Sequence, residues 1–158
     1  MMWLLVSGCT SSTQSAARPS PTALAIVGGC AGTVLTAAEP PAWAQGGWSH
    51  VKGTPWPVPW AIATTGDAIA FVFAGELVAG SSPRSDGTQN KVLWVEKTPT
   101  AFTVEGRPLG QAAPVVTVPG GPSIVDVPSA GCWTFQLLQG KHTSVINLDV
   151  LPTGTLPG

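Results

Sequence analysis

The sequence predicts an all-β protein, an antiparallel β-sandwich of seven to eight short strands, and three observations support this. The 158 residues include 19 Gly and 16 Pro, which interrupt the chain so often that few windows could hold a three-turn helix. Short β-prone runs recur between Gly, Pro and Asp turn signals. Hydrophobic residues make up 44% of the chain and charged residues only 9%, which argues against a disordered chain. The length allows one ordinary domain with a tail.

Seven segments have the residue pattern of strands, and turn residues separate them. In chain order they are 68–74, 91–96, 101–105, 114–118, 123–127, 132–138 and 143–150, with 61–64 as a candidate eighth strand. The intervening residues are predicted to form a polar loop at 80–90, a Pro-Gly-Gly-Pro break at 119–122 and a hairpin turn at 139–142.

The side-chain pattern of these segments predicts which strands are central. Segment 91–96 is apolar on both faces, as expected of a strand that is covered on both sides. Segment 68–74 places its larger residues on one face, and segment 132–138 alternates with Trp133 on its apolar face. Trp94 and Trp133 are therefore predicted to lie in the core.

The N-terminus carries a short motif that ends in a cysteine. Val6, Ser7, Gly8 and Cys9 resemble the lipobox of bacterial lipoproteins, which implies cleavage before Cys9 and lipidation of its thiol. No Lys or Arg precedes Cys9, and a true start upstream of Met1 would supply the basic region of an export signal. A second candidate is Cys30, preceded by Val27, Gly28 and Gly29.

The sequence predicts four parts of the chain, the first of which ends at the lipobox cysteine. Residues 1–9 are predicted to be a remnant signal peptide, 10–40 a flexible tether rich in Ser, Thr, Ala and Pro, 41–152 the sandwich, and 153–158 a tail. No stretch approaches the roughly eighteen apolar residues that a membrane-spanning helix needs, so any attachment would be by lipid.

The cysteine count is odd, with Cys9, Cys30 and Cys132. Lipidation of Cys9 would account for one thiol, and Cys30 and Cys132 could then pair in an oxidising compartment. The alternative is that Cys132 is a buried free thiol and that Cys30 lies in the tether.

The stretch 126–133 is the most specific local feature of the body. It resembles the corner at which immunoglobulin-like domains pass from one sheet to the other, with Trp133 in place of the usual Tyr, so the hydroxyl bond of a tyrosine corner is not expected. The Gly-Cys-Trp strand at 131–133 is similar to that of uncharacterised bacterial envelope lipoproteins with an immunoglobulin-like β-sandwich. That resemblance, over roughly residues 40–152, implies no activity.

Four of the seven tryptophans lie in the Pro-rich approach to the first predicted strand: Trp43, Trp48, Trp56 and Trp60. One interpretation is an aromatic surface that binds glycans or rests at a membrane interface. The other is that this Pro-rich segment lies across an open sheet edge or core end and buries its indoles there.

Residues with catalytic or metal-binding chemistry are sparse. His50 and His142 have no metal-ligand spacing and are predicted to be solvated loop residues, and no nucleophile elbow occurs. No catalytic residue, metal site or cofactor is predicted. The chain has seven Lys and Arg residues and eight Asp and Glu residues, so it has no excess of positive charge to bind a phosphate backbone. This disfavours nucleic-acid binding.

These observations predict a non-catalytic domain that is lipid-anchored on the extracytoplasmic face of the cell membrane, or alternatively secreted. Such a domain would bind an envelope protein or glycan through its loops or a sheet edge. One alternative is a glycan-binding module built on Trp43 to Trp60. Another is a small hydrolytic enzyme, which would need His142, an acid and either Cys132 or a Ser to converge in a cleft.

Overall fold

A computed structural model describes residues 26–155. A 3-10 helix (Ala42–Ala44) precedes nine strands within this range. The strands are β1 (Trp60–Ile62), β2 (Ala68–Val72), β3 (Leu77–Val78), β4 (Lys91–Glu96), β5 (Thr103–Pro108), β6 (Val116–Pro119), β7 (Gly121–Ile124), β8 (Gly131–Gln139) and β9 (His142–Leu151). The prediction that the protein is all-β is confirmed, although the strand count exceeds the expected seven to eight.

The strands form two sheets. One has the order β1-β2-β4-β7 and the other β3-β9-β8-β5-β6. Every pairing between these strands is antiparallel except that of β3 with β9. The hairpin of β8 and β9 is the longest ladder, and it turns at Gly140 and Lys141 as the sequence predicts.

Strand β3 lies inside a region for which the sequence pattern predicts no strand. It has only two residues, too few to show an alternation. Asn90 holds its outer side: the Val78 amide donates to Asn90 Oδ1 over 3.1 Å, and Asn90 Nδ2 donates to the Val78 carbonyl over 2.7 Å. The fully buried amide of Asn90 therefore takes the place of a neighbouring strand.

The chain crosses between the sheets at Gly120. Strand β6 ends at Pro119 in the five-stranded sheet, and β7 begins at Gly121 in the four-stranded sheet. The predicted four-residue break is thus a single residue. Pro122 fits within β7 because β7 is an edge strand.

The main core fills the space between the two sheets. Trp94 from β4 and Trp133 and Phe135 from β8 are its largest side chains, and all three are buried as predicted for the two tryptophans. The rings of Trp94 and Phe135 lie 5.2 Å apart between centroids in a tilted arrangement. Gly106 on β5 leaves room for Phe135, because a Cβ there would lie 2.7 Å from Phe135 Cε1 and 2.6 Å from Val116 Cγ1.

Strand β2 is buried on both faces. Its smaller residues, among them Ala70, face the core between the sheets, while Ile69 and Phe71 belong to a second apolar cluster on the outer side. The outer cluster includes Leu93 and Val95 of β4. This agrees with the prediction that segment 91–96 is covered on both sides.

The corner before β8 is closed by an indole. Trp133 Nε1 donates a hydrogen bond to the Ser129 carbonyl, four residues upstream, over 2.9 Å. The hydroxyl bond of a tyrosine corner is absent here, as expected from the Trp at this position, and the indole makes a different bond to the turn. The indole N–H is also a donor and can reach the turn.

Residues 26–40 pack on the body, although they were expected to belong to the flexible tether. Leu35 is fully buried in the main core, and Ile26 N donates to the Leu35 carbonyl over 2.9 Å. Thr36 forms a bridge with Trp60 beside β1. The Ser, Thr, Ala and Pro content of residues 10–40 predicts a tether, but the buried Leu35, the Thr36–Trp60 backbone bonds and the Cys30–Cys132 pair attach residues 26–40 to the body.

No helix within residues 26–155 combines the length and hydropathy needed to cross a membrane.

Candidate functional site

The structure brings Cys30 and Cys132 together. Their sulfur atoms lie at disulfide distance, 2.00 Å apart, and their Cα atoms are 5.8 Å apart. Cys132 stands at the beginning of β8, so the pair joins the N-terminal segment to the end of the body where β8 begins. Cys9 and its lipobox lie outside the described residues.

The tryptophan segment, residues 43–60, covers the outer face of the four-stranded sheet. Trp56 and Trp60 are 4% and 7% exposed and pack in the cluster with Ile69 and Phe71. Trp60 Nε1 donates to the Ala38 carbonyl over 2.8 Å. Trp56 and Trp60 therefore have the packing role that the sequence analysis considered, and they cannot form an exposed ligand-binding surface.

Trp43 and Trp48 remain partly exposed on this cover. Trp48 stacks on Phe73, with 5.7 Å between ring centroids and 19° between planes. Phe73 is 42% exposed, and Lys91 Nζ lies 5.1 Å from its ring centroid. The accessible part of the predicted aromatic surface thus centres on Trp48 and on a phenylalanine that the sequence analysis did not assign to it.

A cluster of polar side chains lies where the two sheets meet, at the end of the body away from Cys132. Asp67 immediately precedes β2, and Glu96 ends β4 on the adjacent strand. His142 begins β9 in the other sheet, and Ser144 follows it on the same strand. Metal-ligating atoms of Asp67, Glu96 and His142 all lie within 4.8 Å of one another. We call these three residues and Ser144 the acidic cluster.

Local structure fixes the two carboxylates side by side. Ala68 pairs with Glu96 in the antiparallel register of β2 and β4, and the Lys97 amide donates to the Asp67 carbonyl over 2.7 Å. These backbone contacts place Asp67 and Glu96 at neighbouring strand ends. The β8–β9 hairpin then presents His142 to the pair from the opposite sheet.

Asp67 collects most of the hydrogen bonds of the cluster. His142 Nε2 lies 2.7 Å from its Oδ2, and Ser144 Oγ donates to its Oδ1 over 2.9 Å. The Thr65 hydroxyl also donates to Oδ1. Partial burial would raise the pKa of Asp67, but the bonds from Thr65 and Ser144 and the charge of His142 outweigh it and hold that pKa below its ordinary value.

The environment of Glu96 shifts its pKa in the opposite direction to that of Asp67. The residue is only 7% exposed, and its Oε1 has no hydrogen-bond partner among residues 26–155. Burial, together with the negative charge of Asp67, raises the pKa of Glu96 above its ordinary value despite the opposing effects of His142 and Ser144. A buried carboxylate oxygen without a partner is costly, so this atom calls for an explanation.

The cluster does not have the geometry of a hydrolytic triad. In a triad the acid holds one imidazole nitrogen and the nucleophile faces the other. Here Asp67 and Ser144 both face His142 Nε2, at 2.7 and 3.2 Å, and Ser144 is fully buried. Cys132 lies at the far end of β8, paired with Cys30.

His142 is exposed, as predicted, but it begins β9 and does not lie in a loop, and its Nε2 lies 2.7 Å from Asp67 Oδ2. No local spacing could reveal the cluster, because Asp67, Glu96 and His142 come from three separate parts of the chain. The only available signal was that Asp67, Glu96 and His142 each stand at a predicted strand end. His50 also differs from the prediction, because it is half-buried with its ring centroid 4.5 Å from that of Trp56.

Comparison of the chain with protein-family models, curated proteins and solved structures finds no match.

Proposed function

We propose that the chain is a non-catalytic domain of the cell envelope, lipid-anchored at Cys9 on the extracytoplasmic face of the membrane, that binds a protein or glycan through its loops or a sheet edge. The observation that carries this proposal is the pairing geometry of Cys30 and Cys132. Stable disulfides are typical of exported proteins and rare in the cytosol. A bridge between these two cysteines leaves Cys9 as the third thiol, which a lipid would modify, and excludes the alternative lipobox at Cys30.

We further propose that the sandwich is immunoglobulin-like. The order β2-β4-β7 corresponds to strands A, B and E of such domains, and β9-β8-β5-β6 corresponds to G, F, C and C′. The bond from Trp133 to Ser129 supports the same assignment, because it ties the start of the F-like strand back to the turn before it, as a tyrosine corner does. Strand β1, the parallel strand β3 and the absence of a D-like strand from residues 26–155 are departures from the pattern.

The anchor is tested by fractionating cells and measuring the mass of the mature N-terminus. We expect a membrane-associated species that begins at Cys9 and carries a diacylglyceryl group. Cys9→Ala should abolish both the modification and the membrane association. Ser7→Ala keeps a small residue before the cut site and should leave both unchanged. Recovery of the intact, unmodified chain from the soluble cell interior with all three thiols reduced would contradict the proposal.

A second candidate, a glycan-binding module, is favoured by one observation. Trp48 and the exposed Phe73 are stacked beside Lys91, which provides an aromatic platform with a cation at its rim. Titration with cell-wall fragments or oligosaccharides should then change the tryptophan fluorescence, and Trp48→Ala should abolish the change. Trp43→Ala removes the other partly exposed indole and serves as the matched control. Absence of any response at millimolar oligosaccharide would exclude this candidate.

A further inference from the structure

We propose that Asp67, Glu96 and His142 form a binding site for a divalent transition-metal cation of the Zn²⁺ type, which links the two sheets. The three side chains offer one imidazole nitrogen and two carboxylates, a donor set that suits Zn²⁺. Their ligating atoms lie within 4.8 Å of one another. This inference is independent of the anchor and of the glycan candidate.

The spacing of the donors is close to what one ion requires. A Zn²⁺ ion holds its nitrogen and oxygen ligands at about 2.0–2.2 Å, so two ligands of the same ion are separated by at most about 4.4 Å. Small side-chain rotations would bring the observed spread within that limit. His142 Nε2 and Asp67 Oδ2, now 2.7 Å apart, would separate slightly as the cation enters between them.

Glu96 provides an independent indication of a ligand. Glu96 is more than nine-tenths buried, and its Oε1 has no hydrogen-bond partner among the described residues. One oxygen of the same carboxylate lies within 4.8 Å of ligating atoms of Asp67 and His142. Neither Asp67 nor Glu96 forms an ion pair with a Lys or Arg within residues 26–155. A cation would supply the missing partner of Oε1 and balance the charge of both carboxylates.

The surroundings of Asp67 are those of an oriented metal ligand. Hydroxyl groups of Thr65 and Ser144 donate to Oδ1, which leaves Oδ2 directed at His142. Hydrogen bonds of this kind commonly orient ligating carboxylates in metal sites. Thr65 and Ser144 are therefore positioning residues in this proposal.

The location of the site gives the ion a structural role. Asp67 and Glu96 lie at neighbouring strand ends of the four-stranded sheet, and His142 begins a strand of the five-stranded sheet. A cation bound by all three would connect the sheets at the end of the sandwich opposite Cys132. It would stabilise the folded chain in proportion to its free concentration, because the unfolded chain does not hold the three donors together.

The test is calorimetric titration of the purified full chain, stripped of metal with a chelator, with ZnCl₂, MnCl₂ and CaCl₂ in parallel. We expect one equivalent of Zn²⁺ to bind, more tightly than Mn²⁺ and far more tightly than Ca²⁺, and to raise the unfolding temperature. Glu96→Gln and His142→Ala should each weaken Zn²⁺ binding at least tenfold. Thr65→Ala should weaken it about tenfold through the orientation of Asp67.

Two controls separate loss of the site from loss of the fold. Glu96→Gln removes a buried charge and keeps the side-chain shape, so its urea midpoint without metal should equal or exceed that of the wild type. His50→Ala, which removes the other histidine, should leave Zn²⁺ binding unchanged. The proposal fails if millimolar Zn²⁺ neither releases heat nor raises the unfolding temperature. It also fails if Glu96→Gln binds Zn²⁺ as tightly as the wild type.

Discussion

At the scale of single residues, Asp67 and Glu96 show how neighbours can have opposite electrostatic environments. Thr65 and Ser144 donate to the carboxylate of Asp67, whereas Glu96 Oε1 is buried without a partner among residues 26–155. The pKa of Asp67 is lowered and that of Glu96 is raised. The two residues therefore contribute to stability in opposite pH ranges.

This difference leads to a prediction for pH dependence in chelator-containing buffer. Because the folded-state pKa of Glu96 is raised, its contribution is fully present below the unfolded pKa of about 4.3 and is lost as the pH rises through the folded value. Because the folded-state pKa of Asp67 is lowered, its contribution is present above about 3.9 and is lost as the pH falls through the folded value. Glu96→Gln should therefore gain stability relative to the wild type as the pH rises above about 4. Asp67→Asn should be less stable than the wild type by a constant amount above about pH 4, and this deficit should shrink as the pH falls below that value.

Urea unfolding at several pH values, read as the difference in midpoint between variant and wild type, checks this prediction. Glu105→Gln, an isosteric change on β5 far from the cluster, is the control and should give a curve parallel to that of the wild type. Parallel curves for Glu96→Gln and the wild type would contradict the assignment of a raised pKa to Glu96.

Gly106 supports a second prediction at the residue scale. A Cβ at this position would meet Val116 Cγ1 and Phe135 Cε1 at less than 3 Å. Gly106→Ala should therefore destabilise the fold by about 1–3 kcal/mol through overpacking. Gly46→Ala, where no atom lies within 4 Å of the added Cβ, should change stability by no more than about 0.5 kcal/mol. Equal urea midpoints for the two variants would show that β5 and β8 can separate without cost.

At the scale of elements, β3 depends on a side chain as much as on a strand. Leu77 and Val78 pair with β9 on one side only, and Asn90 satisfies the amide and carbonyl of Val78 on the other. A two-residue strand forms few backbone hydrogen bonds with its neighbour. The two bonds to Asn90 are therefore a large share of the hydrogen bonds that hold β3 in place.

Asn90→Ala should consequently destabilise the protein by about 2–4 kcal/mol, because two buried backbone groups of Val78 lose their partners. Hydrogen exchange at the Val78 amide should accelerate more than exchange in the β8–β9 hairpin. Gln111→Ala, in an exposed loop, is the control and should have no effect. Unchanged protection of the Val78 amide in Asn90→Ala would contradict this account of β3.

At the scale of the whole molecule, the Cys30–Cys132 pair joins the N-terminal segment to the two-sheet body in addition to the contacts of the core. The two cysteines are 102 residues apart in sequence, so a bridge between them restricts most of the unfolded chain. Replacing both by Ser should cost about 4–5 kcal/mol in the chain-entropy account of disulfides. Urea midpoints of the wild type with and without reductant and of the double variant measure this cost. A midpoint that neither reduction nor substitution shifts would show that the bridge does not form.

Local patterns predicted the longer strands of this molecule. The β8–β9 hairpin and the burial of Trp133 followed from apolar residues at alternate positions, and β4 followed from a segment that is apolar on both faces. Strand β3 has no comparable signal in the sequence, because two residues are too few to show an alternation. The docking of residues 26–40 combines the buried side chain of Leu35 with backbone hydrogen bonds to Trp60 and Asp149 and the Cys30–Cys132 pair, none of which has a periodic signal in the sequence.

The acidic cluster was beyond sequence reasoning for a different reason. Asp67, Glu96 and His142 are brought together by the pairing of β2 with β4 and by the stacking of the two sheets. Neither the strand pairing nor the stacking of the sheets can be recognised from a local pattern in a single sequence. The packing of the tryptophan segment over β2 was equally hard to predict. Its sequence shows that the segment is aromatic and stiffened by prolines, but not which sheet face it covers.

The attachment of Cys30 to Cys132 also has a mechanical consequence. A pulling force applied through the residues that precede Cys30 would reach the first residues of β8 through a covalent bond. The isolated bridges of Ile26 with Leu35 and of Gly29 with Leu148 could yield under such a load while the nine strands stayed in register. With the bond reduced, the same load would instead peel the N-terminal segment away and draw Leu35 out of the core.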